Sequence, residues 1–95
     1  MKPVFSWDIR KALLNKQKHG VTFEEAQTVF ANPLACIFDD EIHSYGERRE
    51  IIIGHSQVGR LLAVVFVERE NVVRIISARK ATKTERERYE EATHD

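Results

Sequence analysis

The sequence predicts an α+β fold in a single domain, residues 1–95, with elements in the order ααββββα. The expected architecture is a four-stranded antiparallel sheet with helices packed on one face. Three observations predict it. The first third carries helix caps ahead of apolar residues at helical spacing. The middle holds apolar, β-branched runs broken by short turn signals. A second capping signal follows the last of these runs.

Asp8 can cap a first helix, with Ile9, Ala12 and Leu13 on one face. Gly20 in "KHG" suits the left-handed residue that follows a last turn, and His19 suits a helix C-terminus. Thr22 and Glu25 then form a capping-box pattern, and Val21 can staple onto Ala26. Phe23, Ala26, Val29 and Phe30 make the second apolar stripe, which Asn32-Pro33 ends.

"LACIF" reads as a short strand, "DDEIHSYGE" as a polar loop, "RREIIIGHS" as a strand and "QVG" as a turn. "RLLAVVFVER" and "VVRIISAR" flank Glu70-Asn71 and read as an antiparallel hairpin. A two-residue turn there pairs Phe66 with Ile75 and Leu62 with Arg79. That register puts Arg60, Ser77 and Arg79 at one end of one face, because a slip of one residue would reverse every side chain. Thr82 and Glu85 form another capping-box pattern and open a last helix. Its apolar-bodied residues are Tyr89 and Ala92 alone, so it reads as a solvated helix held by pairs such as Arg86–Glu90, or as one that docks on a partner.

Composition bounds the function. The chain is 42% hydrophobic and 32% charged, as in a soluble globular domain. No segment has the length of a membrane span, and the N-terminus lacks the apolar core of an export signal. The single cysteine, Cys36, sits in an apolar run and reads as a buried free thiol. These features predict a cytoplasmic location and no membrane association. Net charge is zero, but it is unevenly spread. Residues 1–20 hold five basic residues against Asp8, and residues 74–89 hold six against Glu85 and Glu87. The two basic ends predict one positive face once folded.

Arg79-Lys80 ends a strand just before a capped helix. Lys80 also reads as plain surface charge, whereas Arg79 is held by its apolar strand, and its planar fork suits a phosphate. His43, Glu47, Arg48 and Arg49 form a loop with the side chains for acid–base work on a phosphodiester, though spacing alone also fits an ordinary polar loop. The histidines and Cys36 match no metal-ligand spacing, and no phosphate loop or dinucleotide fingerprint is present, so no metal and no cofactor is expected. Trp7 and Phe5 read as packing anchors, although an aromatic ring can also stack on a base.

Four segments, "FSWD", "NKQKHGVTFEEAQTVFANPLA", "HSYGERREIIIGHSQVGRLLAVVFVER" and "RIISARKATKTERERYEE", together resemble the BrnT family, toxins of bacterial type II toxin–antitoxin pairs. The likeness runs from about Phe5 to Glu91 and is most specific in "KHGVTFEEA" and "RIISARKATKTERERYE". It implies a RelE-like fold and an endoribonuclease that inhibits translation and arrests growth. It also implies a BrnA-like ribbon-helix-helix antitoxin, a hetero-oligomer with it, and repression of operator DNA through it. The family's marked polar positions fall at His43, Arg48, Arg49, Arg60, Ser77, Arg79 and the run Lys83-Thr84-Glu85-Arg86. On that footing His43 or Glu47 would be base or acid toward the 2′-hydroxyl of RNA, and Arg60 and Arg79 would hold the phosphate. Arg49, Arg74, Lys80, Lys83, Arg86 and Tyr89 would touch RNA. The competing reading is a non-catalytic partner- or DNA-binding subunit that serves only in operon repression.

Overall fold

In the computed structural model, which describes residues 3–94, the elements alternate around one mixed sheet. They are β1 (Val4–Ser6), α1 (Ile9–His19), α2 (Phe23–Thr28), β2 (Cys36–Asp39), β3 (Glu50–His55), β4 (Leu61–Arg69), β5 (Val72–Lys80) and α3 (Lys83–Thr93). Single 3₁₀ turns follow α2 at Val29–Ala31 and β2 at Glu41–His43. The strand order is β1-β5-β4-β3-β2. No helix among the described residues is long and apolar enough to cross a membrane.

The sheet has five strands, not the expected four, because β1 pairs with β5 in parallel from Val4↔Val72 to Ser6↔Arg74. Three residues are too few to show an alternation, and their partner lies far along the chain. The other pairs are antiparallel. Helices cover both faces rather than one. The central strands announce this in "III" and "LLAVVFV", which are continuously apolar where one-sided strands would alternate.

On one face, Ile52, Leu62, Val64, Phe66, Val73, Ile75 and Ala78 pack with Val21, Phe23, Ala26 and Val29 at and around α2. The expected stripe of α2 is thus the buried one. Edge-to-face aromatic pairs stitch in the N-terminus: Phe5–Phe30 at 5.1 Å, Phe30–Phe66 at 5.0 Å and Trp7–Phe23 at 5.9 Å. Trp7 and Phe5 are packing anchors. On the other face, Ile53, Leu61 and Ala63 pack under Tyr89 of α3. Tyr89 hydroxyl lies 3.3 Å from His55 Nδ1, and Arg88 lies 3.9 Å over the Phe38 ring. The sparse apolar content of α3 therefore suffices to cap a small second core. The Arg86–Glu90 pair does not form; the ion pair that anchors α3 is Arg79–Glu85.

The caps lie where the sequence puts them. Asp8 accepts from the Lys11 amide, Thr22 from the Glu25 amide, and Thr82 with Glu85 forms a complete capping box. The Thr22 box is only half made, because the Glu25 carboxylate turns to Arg60 and Ser56 instead. Gly20 takes φ +69° and closes α1 onto Lys16.

The face of α1 is a correction. Ala12 packs inward, but Ile9 and Leu13 are exposed, and the buried residue of the helix is Asn15. Beyond Arg74, β5 has no strand on its outer edge, and the Asn15 amide takes that role. Its Nδ2 donates to the carbonyls of Ala78 (2.7 Å) and Val21 (2.9 Å), while its Oδ1 accepts from the Ala78 amide (3.0 Å). Burying Asn15 satisfies backbone groups that would otherwise be orphaned. Cys36 is only partly buried, on the edge strand.

Candidate functional site

The geometry of the site follows from the β4–β5 hairpin. Glu70 and Asn71 both take positive φ, 51° and 70°, as a two-residue turn that matches strand twist requires. Next to the turn the register is the expected one, with Phe66 opposite Ile75. Between Val65 and Phe66 it shifts by one, so Val65 faces Ser77 and Ala63 faces Arg79. The extra residue in β5 is Ile76. A bulge reverses the facing of everything beyond it.

That reversal separates residues the sequence groups together. Arg60 lies on the α1/α2 side of the sheet. Its Nε donates to Glu25 Oε2 at 2.9 Å, one Nη donates to Glu25 Oε1, and the same Nη reaches the Gly20 carbonyl at 3.1 Å. Ser56 hydroxyl adds a third bond to Glu25, at 2.7 Å. These bonds, led by Arg60, hold the Glu25 carboxyl below the usual glutamate range. Arg60 thus locks the start of α2 to the β3–β4 turn and does not share a site with Arg79.

Ser77 and Arg79 face the other way and line a cleft of about 230 Å³ with Asp40, His43, Arg49, Ile51, Val65 and Ile76. The floor is the sheet row Ser77, Val65 and Ile51, whose backbones pair in sequence. The rim is built by two ends of the loop 40–49. Asp40 amide donates to the Arg49 carbonyl at 2.9 Å, and Arg49 amide donates to the Ser44 hydroxyl at 3.1 Å, which closes the loop on itself.

His43 stands on the 3₁₀ turn with its Nδ1 at 3.0 and 3.1 Å from the two oxygens of Asp40. A carboxylate only accepts, so Nδ1 carries a proton toward Asp40, and in the neutral ring Nε2 is the nitrogen left with a lone pair. The Asp40 side chain is 9% exposed and that of His43 is 61% exposed, so the buried acid fixes the ring and leaves its far nitrogen accessible. Arg49 lines the same cleft, and its Nε is buried without a protein partner. Arg79 is held in a two-point contact, Nη1 to Glu85 Oε1 at 2.6 Å and Nη2 to Glu85 Oε2 at 2.9 Å. Burial works against the Glu85 charge, but the Arg79 bonds and the Thr82 amide outweigh it and keep the carboxyl below its usual range. Glu85 in turn holds the Arg79 charge firmly in place.

The remaining candidates lie outside the cleft. Glu47 is exposed in the loop, and Arg48 is spent on Asp39 at 2.7 and 3.1 Å. Arg74 is exposed on the same sheet face but toward the hairpin turn, and Lys80 is exposed on the opposite face. Lys83 and Arg86 are exposed on α3. Tyr89 is 6% exposed and belongs to the second core, where burial pushes its phenol up, so it is not placed to stack on a base. The expectation of one positive face also fails, since α1 and the Arg79 cleft lie on opposite sides of the sheet.

Sequence reading missed Asp40. Its signal was available in the acidic pair "DD" three residues before His43, at the spacing of one helical turn. A larger groove of about 790 Å³ lies along Phe5, Phe30 and Pro33, but no Arg or Lys lines it. Of these two, it is the smaller cleft that offers cations to an anionic substrate.

A family model described as "Ribonuclease toxin, BrnT, of type II toxin-antitoxin system" matches residues 7–85. The chain belongs to the BrnT family. Every lining residue of the cleft falls within the matched span. BrnT-family membership makes the chain a ribonuclease toxin of the type II class, with an antitoxin as the implied counterpart. No curated protein matches the chain. Among solved structures, the crystal structure of the BrnT ribonuclease toxin from Brucella abortus aligns with a TM-score of 0.65 at 24% identity. The alignment covers 86% of this chain and all of that one, and it establishes a shared BrnT fold.

Proposed function

We propose that this BrnT-family chain is an endoribonuclease that needs no metal, cleaves RNA in the 230 Å³ cleft, and thereby inhibits translation and arrests growth in the cytoplasm. The observation that carries the reading is the meeting of the His43–Asp40 dyad with Ser77, Arg49 and Arg79 on one face of the sheet. His43 Nε2 takes the proton of a ribose 2′-hydroxyl. The resulting alkoxide attacks the adjacent phosphorus, and the P–O5′ bond breaks, leaving a 2′,3′-cyclic phosphate and a 5′-alkoxide that solvent protonates to the 5′-hydroxyl. Arg79 and Arg49 line the cleft in which charge builds on the phosphoryl oxygens. Ser77 hydroxyl is a further donor at the floor. General-base catalysis of this kind contributes roughly 10²–10⁴-fold.

In this reading a BrnA-like ribbon-helix-helix antitoxin neutralises the toxin in a hetero-oligomer, and the complex reaches operator DNA through the antitoxin. A second reading draws on one observation: Glu85 already occupies both Nη groups of Arg79, as it would in a toxin retained only for repression.

Inducing the chain alone and mapping RNA ends separates the two. New 5′-hydroxyl ends are expected with wild type and with Arg60→Lys, and none with soluble Arg79→Ala or His43→Ala. Cleavage that persists in both of the latter variants removes the cleft from the chemistry. No cleavage by wild type favours the repression reading.

A further inference from the structure

Among the described residues, the outer face of α1 has no partner, and it has no part in the cleft. Ile9, Leu13 and Leu14 are 72%, 59% and 63% exposed, although all three are aliphatic residues of a well-formed helix. Asn15 and Ala12 mark the inward side. At 100° per residue, Leu13, Gln17, Arg10 and Leu14 point away from the sheet, with Ile9 and Lys16 on one flank and Lys11 and Lys18 on the other. The helix holds four Lys or Arg and no acidic residue. The one acid beside it, Asp8, is engaged with the Lys11 amide as the cap.

We propose that this face docks an acidic protein segment that carries aliphatic anchors, a surface separate from the RNA cleft. Charge complementarity names the sign of the occupant, and the leucines name its chemistry. A second copy docked through the same helix face would set four cations against four. RNA would use the cations but leave Leu13 and Leu14 uncovered, since aliphatic side chains offer neither a stacking plane nor a donor. A membrane needs a continuous apolar stripe, and Arg10 and Gln17 interrupt this one. An amphipathic acidic segment satisfies both features, its aliphatic residues on the leucines and its carboxylates on Lys16, Lys18, Arg10 and Lys11. The face lies across the sheet from Arg79, so a partner held here leaves the cleft open.

The test uses a fluorescein-labelled helical peptide with leucines three and four residues apart and glutamates elsewhere, titrated with the whole protein and read by anisotropy. Saturable binding is expected, weakened about tenfold or more by L13E/L14E and to a similar degree by replacing the peptide leucines with alanine. Both substitutions sit on an exposed helix face, and an unchanged circular dichroism melt confirms the fold. The reading is overturned by three results: no saturable binding, binding indifferent to L13E/L14E, or a single-stranded RNA or phosphatidylserine vesicle binding through Leu13 and Leu14 while the peptide does not. No RNA cleavage is measured, so failure here and failure of the ribonuclease reading are distinguishable.

Discussion

Two arginines with similar sequence surroundings do different work. Each ends up paired with a glutamate, Arg60 with Glu25 and Arg79 with Glu85. The Arg60 pair joins two elements of the scaffold, whereas the Arg79 pair sits at the rim of the cation-lined cleft. Arg60→Ala should therefore lower the melting temperature while leaving the cleavage rate per folded molecule near wild type, whereas Arg79→Ala should abolish cleavage and, by releasing Glu85 of α3, lower the melting temperature as well. Measuring both quantities on both variants tests the assignment. Acidification tests the same pairs. Glu25 and Glu85 are both depressed in the fold, so their contribution is fully present above the unfolded glutamate value and is lost as pH falls through the lower folded one. The melting temperature should fall steeply below about pH 4.5, and Glu25→Gln should flatten that fall. Equal slopes for the two proteins would contradict the ion-pair account.

At the scale of elements, α1 and β3 are held by contacts no periodicity reveals. Asn15 serves both backbone groups of Ala78 at the open edge of β5 and the Val21 carbonyl ahead of α2, and Asn15→Ala strands all three, at a cost of about 2–4 kcal/mol in denaturant unfolding. Gly54 of β3 lets α2 and the segment before β2 approach closely. A Cβ there would lie 2.8 Å from Ala35 Cβ and 3.2 Å from Val29 Cγ1. Gly54→Ala should destabilise by about 1–3 kcal/mol, because neither backbone nor core side chain can withdraw freely. The caps, the stop at Asn32-Pro33, the hairpin turn and the buried stripe of α2 were all legible, since each depends on residues within a turn of one another. The short β1 was not, because a three-residue strand becomes visible only through its partner. The exposed stripe of α1 was misassigned for a related reason: helical spacing identifies an apolar face but not whether anything covers it.

For the whole molecule, the sheet divides labour. One face carries the main core under α1 and α2, and the other carries a smaller core under α3 with the cleft beside it. The four strands expected from patterning are present and in the expected chain order, joined by β1 as a fifth. By itself the sequence determined the three helices, four of the five strands, most of their ends and the family, and it offered arginine, serine and histidine as candidates for a phosphodiester site. Which of those side chains meet was decided by tertiary structure. Side chains in a strand alternate with a period of two, so one bulged residue, Ile76, turns Ser77 and Arg79 to the face opposite Arg60. Asp40 meets His43 through a contact only three residues apart, whereas the burial of Asp40 and the exposure of Glu47 follow from how the loop lies on the sheet. No local pattern encodes the bulge or that burial, because each depends on how separate segments pack against one sheet.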